Sequence, residues 1–195
     1  MLQNPVQLRL EKLDPWQQIT FMVTLCERMY PNYVLFCEQT EFADPKPMHL
    51  ILDSVWESLT VKNAKVNFER QLERLEELVP NGEDHEIYLV YPAIDACVAL
   101  SELLHALLDR DNLLEAMVKI SAQSAQTVAD LEEAQTGEVI TNDNQKDNEA
   151  VCAEWDAQWE IFRVLREADK RDIEMIKGIR GDLRETPISN IGVEL

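Results

Sequence analysis

Tyr-Pro-Ala-Ile-Asp-Ala-Cys-Val-Ala-Leu-Ser-Glu-Leu-Leu-His-Ala-Leu-Leu, residues 91–108, decides the fold. At about 100° per residue, its Ala, Cys and Leu side chains cover most of a helical wheel. Asp95, Glu102 and His105 share, with Val98, one remaining sector of roughly 80°. A helix apolar on nearly every side is a core helix, so other helices must surround it. The apolar run begins near His85, and Tyr91-Pro92 predicts a break or kink within it.

Working outward, prolines behind capping residues mark helix starts. Asn4-Pro5 predicts a short helix to about Leu13, and Asp14-Pro15 begins a second carrying Trp16, Ile19, Phe21, Val23, Leu25 and Met29. Tyr30-Pro31 is expected to end it, with a third short helix through Tyr33, Phe36 and Cys37. Residues 42–47 hold two prolines and read as a loop. Further helices are expected over 48–59 and 64–79, and over 113–135 with Gly137 closing the last. Residues 137–148 are polar and predict a mobile loop. One long C-terminal helix is expected from 148 to 184, bending if anywhere near 167–170, with Val151, Trp155, Phe162, Leu165, Ile173, Ile176, Ile179 and Leu183 on its apolar face. The tail after Pro187 reads as irregular. The expectation is therefore an all-α, single-domain multi-helix bundle over residues 1–187, with a central apolar helix, a long C-terminal helix and an irregular tail at 188–195.

Composition agrees. Of 195 residues 46% are hydrophobic, enough for a core without disulfides, and only 5 are Gly. The net charge is −19, and the few cations, such as Lys62, Lys65 and Arg70, are interleaved with Glu69 and Glu73. Phosphate backbones and anionic lipids need clustered cations, so direct nucleic-acid or membrane-surface binding is not expected. Uninterrupted apolar runs are too short to span a bilayer, and no leader pattern opens the chain. Cys26, Cys37, Cys97 and Cys152 form no C-x-x-C pair, so reduced thiols in the cytoplasm are the expectation.

Chemistry has one candidate place. Glu102 and His105 have the Glu-x-x-His spacing used in carboxylate-bridged metal bundles, and Asp95 shares their face. A mononuclear divalent-metal site would need Asp95, Glu102, His105 and a carboxylate such as Glu160 or Asp156. Di-iron bundles need two such motifs, and only one is present. Any Glu three residues before a His satisfies the spacing, so a solvated stripe is the commoner origin of the pattern. No nucleophile stands beside a base, and no Gly-rich loop could cradle a phosphate, so no catalytic or cofactor residue is assigned. Trp155 and Trp159 read as core residues or as a partner anchor.

Leu25-Cys-Glu-Arg-Met-Tyr-Pro-Asn-Tyr33, Tyr91 to Leu103, Glu154-Trp-Asp-Ala-Gln-Trp-Glu-Ile-Phe162 and Ser189-Asn-Ile-Gly192 resemble the YjaG-like family of proteobacterial proteins of unknown function. The resemblance covers nearly the whole chain and implies an all-helical domain of this length. It implies no activity and no functional residue. Three functions remain in play. A non-enzymatic cytosolic protein acting by protein–protein interaction leads; a metal-binding helical protein and an acidic mimic or sequestering protein for a basic partner are the alternatives.

Overall fold

In a computed structural model covering Met1–Leu195, the chain is eight α-helices around one core that reaches from Leu2 to Ile176. They are α1 Gln7–Leu10, α2 Pro15–Thr40, α3 Lys46–Thr60, α4 Phe68–Glu76, α5 Val90–Leu108, α6 Leu113–Thr136, α7 Glu149–Arg166 and α8 Ile173–Glu185. The all-α bundle expected from the sequence is what forms.

The segment quoted above is α5, packed against α2, α4 and α6. The break expected near Tyr91-Pro92 is present, because α5 does not extend back to His85. The helix starts at Val90, with Pro92 in the first turn, where a backbone N–H has no intrahelical partner to lose. By length and composition alone α5 passes as a membrane span, although Asp95, Ser101 and Glu102 interrupt its apolar runs. Ala96, Cys97, Leu100, Leu103 and Leu104 are instead buried in the bundle.

The centre is shared with α2, which touches α3, α5, α6, α7 and α8. The helix expected to end at Pro31 continues through it to Thr40. An interior proline costs a helix about 3 kcal/mol. Burial of Met22, Phe21, Leu25, Met29, Tyr33 and Phe36 around it outweighs that cost. The helix expected from residue 64 begins at Phe68, because Asn67 caps it by accepting the Arg70 N–H at 3.0 Å. α6 ends as expected, with Gly137 at φ +74.

The long C-terminal helix is a correction. It is two helices, separated at residues 167–172, where the bend was expected, by the contacts of three polar side chains. Gln17 Nε2 donates to the carbonyls of Leu165 and Ala168, at 2.7 and 3.2 Å, closing the end of α7. Arg171 donates to the carbonyls of Ser58 and Leu59 at the end of α3. Asp172 Oδ1 accepts the N–H groups of Glu174 and Met175, both at 3.0 Å, starting α8. The chain therefore turns, and α8 returns across α2 and α3.

Residues 137–148 connect α6 to α7 with Ile140 buried and its N–H donated to Glu133 Oε1 at 2.6 Å. The last residues turn back through an Ile188–Glu194 antiparallel bridge. Ser189 is buried, and Asn190 accepts from Asn32 Nδ2 and donates to the Ser124 carbonyl, both at 2.9 Å.

Candidate functional site

The polar stripe of α5 is divided by its neighbour α6. Asp95 is half-buried and accepts the Thr127 hydroxyl at 2.8 Å. Burial pushes its carboxyl up to about 6; the Thr127 bond works the other way, and nearby Asp130 adds to the rise. It opens on a cleft with Tyr88, Tyr91, Asp130 and Glu133. Glu102 and His105 line a different, polar cleft with Asp109, Glu115 and Lys119. There Glu102 faces Lys119 at 3.8 Å, and Lys119 also pairs with Glu115 at 3.0 Å. Asp156 and Glu160 lie on α7, which packs on α6 and α2. The structure thus keeps Glu102 with His105 but sets Asp95 apart. Nowhere do three His, Cys, Asp or Glu side chains come together in a way that could hold a metal ion.

Asp95 gives a direct check on this placement. Above pH 6 the folded protein holds a charge that burial disfavours, and stability rises as pH falls from about 6 towards the ordinary aspartate range. Asp95→Asn keeps an acceptor for Thr127 and removes the charge. Thermal melts at pH 7.5 are expected to show a gain of about 1–2 kcal/mol, or several degrees in Tm, that disappears below about pH 4. A variant no more stable than the parent at pH 7.5 would show that the charge is well solvated.

Two buried polar hubs flank α2 at consecutive residues. Glu27 accepts from Trp56 Nε1 at 2.8 Å and from Arg184 Nε and Nη2 at 2.8 and 3.2 Å, with His49 Nε2 at 3.5 Å. Burial opposes its charge, but the hydrogen bonds from His49, Arg184 and Trp56 outweigh that and hold the carboxyl at about 2. Arg184 also meets Asp53 at 2.8 Å, and Arg180 meets Asp53 at 2.6 Å, so the hub ties α8 to α2 and α3. Arg28 points the other way and pairs with Glu154 of α7 at 2.9 Å. Glu154 accepts further from Ser124 Oγ at 2.7 Å and Gln158 Nε2 at 2.8 Å. The groups around Glu27 satisfy one another, as a structural framework requires, whereas in the second hub Arg28 Nη1 and, its ion pair apart, Glu154 Oε2 are buried without a hydrogen-bond partner.

The buried thiols offer no nucleophile. Burial pushes Cys97 up to about 12 and raises Cys26 and Cys37 as well. Trp155 is buried and donates to Gln145 Oε1 at 3.2 Å, while Trp159 packs on Phe162 beneath the Arg9 guanidinium. Both tryptophans serve the fold.

The bend between α7 and α8 leaves an apolar groove of about 350 Å³ over Thr24 and Arg28 of α2. Ala157, Ile161 and Val164 form one wall, Ile179 and Leu183 the other, with Glu160 and Asp182 at the rim. Val164 is 43% exposed. Reading α7 and α8 as one helix hid this groove. The signal for it was a second apolar stripe, Ala157, Ile161 and Val164, beside the stripe that enters the core.

A family model described as "Protein of unknown function (DUF416)" matches residues 5–194. Relatives include the uncharacterized protein YjaG of Salmonella typhimurium and that of Escherichia coli. Each is 58% identical over 193 residues, covering 99% of this chain and 98% of the relative. An uncharacterized protein of Haemophilus influenzae is 46% identical over 194 residues, with the same coverage. The crystal structure of a DUF416 family protein from Shewanella baltica superposes with a TM-score of 0.91 at 36% identity, covering 99% of this chain and 100% of that one.

Proposed function

Since the chain belongs to the DUF416 family of proteins of unknown function, its role has to be read from its own surface, and we propose that it is a non-enzymatic cytosolic protein that docks another polypeptide between α7 and α8. The observation that carries this reading is the groove itself. Exposed apolar side chains are ordinary when scattered, but a concave, contiguous set marks an interaction site. Here exposed Val164 and half-buried Ile161, Ile179 and Leu183 line one open groove. The two hubs beneath fix both walls, so the groove is preorganised and binding need not order it first.

A photocrosslinking amino acid at Val164, compared with one at exposed Leu114 of α6, tests the reading in cells expressing the chain. A discrete adduct from position 164, missing from position 114 and lost on Ile179→Asp in a still-folded protein, is the expected result. Equal crosslinking at both positions, or none at 164, would remove the groove as a docking site.

A further inference from the structure

We infer that the groove's occupant is a basic amphipathic helix of about four turns, lying along α7 from Val164 to Ala150. This inference rests on the docking reading above and adds the length, shape and charge of the partner.

Length follows from continuity. Arg28 lines the apolar groove and also a second cleft, of about 310 Å³, formed by Ala150, Ala153 and Glu154 of α7 against the hairpin at 189–192. Ala150, Ala153, Ala157, Ile161 and Val164 fall on one face of α7, so the two clefts are successive reaches of one channel. At 1.5 Å per residue that face is about 21 Å long, or four helical turns. One wall is α7, joined in the second cleft by Val128, Leu131 and Glu132 of α6, and the other passes from α8 to the hairpin. A channel bounded by helices, with alanines where a backbone comes closest, fits a helix in a groove; it has no free strand edge to extend.

Charge selects the partner. Along the channel Glu132, Glu154, Glu160 and Asp182 stand against the single guanidinium of Arg28. Glu154 already neutralises Arg28 at 2.9 Å, which leaves the rim acidic. A second copy of this chain is the wrong occupant, because each copy carries a net charge of −19 and would bring the same acidic rim. A helix with an apolar stripe flanked by Lys and Arg matches both the floor and the rim.

The test uses two fluorescent peptides of roughly 18 residues with the same Leu/Ile stripe, one with a Lys/Arg polar face and one with a Glu/Gln face. By anisotropy the basic peptide should bind, and raising salt from about 50 to about 500 mM should weaken it by roughly tenfold or more. Glu160→Gln with Asp182→Asn should weaken it about fivefold. Glu69→Gln with Glu73→Gln on remote α4 changes the net charge equally and should leave affinity within about twofold. Equal losses from the two pairs would reduce the binding to overall charge and overturn the inference. Val164→Asp, checked for folding by its melt, should abolish binding. If both peptides bind alike and both fail on Val164→Asp, docking stands and the basic partner falls. If neither binds, the inference fails, and crosslinking at position 164 then decides separately whether the docking reading survives.

Discussion

Glu27→Ala is expected to lower the unfolding free energy by about 3 kcal/mol and the melting temperature by about 10 °C. The carboxylate is 6% exposed and receives Trp56, Arg184 and His49. Removing it leaves an indole N–H buried without a partner and a guanidinium with only Asp53. The effect depends on pH in a definite direction. The folded carboxyl is held at about 2, below its ordinary value of 4.5. Its contribution is therefore complete above about pH 4.5 and is lost as pH falls from there towards 2. Denaturant melts between pH 7 and pH 2.5 should show the parent losing its advantage over Glu27→Ala across that window. A constant difference down to pH 2.5 would mean that the contacts, and not the charge, stabilise the fold.

Glu154→Ala should cost a similar amount, about 3 kcal/mol, because it strands Arg28, whose side chain is only 15% exposed. Ser124 loses its acceptor as well, and Gln158 loses one of two, keeping the Ser121 carbonyl at 3.0 Å. Arg28→Met should cost less, since Glu154 keeps those two donors. The double variant Arg28→Met/Glu154→Leu removes both charges and should recover at least about 1 kcal/mol relative to the sum of the single changes. Urea unfolding of the four proteins measures this coupling, and simple additivity would show that the pair does not act as a unit.

Both hubs sit at neighbouring positions of α2, and their charges were visible as an interruption in an otherwise apolar run from Ile19 to Met29. What they bond to was not visible. Their partners, Trp56, Arg184 and Glu154, come from distant segments, and no local pattern pairs them. The same distinction separates the readings that held from those that did not. The end of α6 at Gly137 and the apolar character of α5 are local properties, legible in a few residues. The turn between α7 and α8 is made by Gln17 and Arg171 reaching other helices, so periodicity ran straight through it. Pro31 was read by its intrinsic cost, which burial on every side outweighs. The stripe of Asp95, Glu102 and His105 was real as a stripe. Seven residues of helix place Asp95 about 10 Å from Glu102 along the axis, and Thr127 and Lys119 of α6 engage them separately. The α7 wall of the groove was legible as a second apolar stripe, but the opposite wall depends on the turn that brings α8 back.

Amide hydrogen exchange of the full chain with and without the basic peptide tests the central claim most directly. Slowed exchange concentrated in residues 150–164 and 179–183 is the predicted result, with α4 and the α5–α6 face unchanged. Protection that falls on α4 or the α5–α6 face while α7 and α8 exchange as before would contradict a docking groove between α7 and α8.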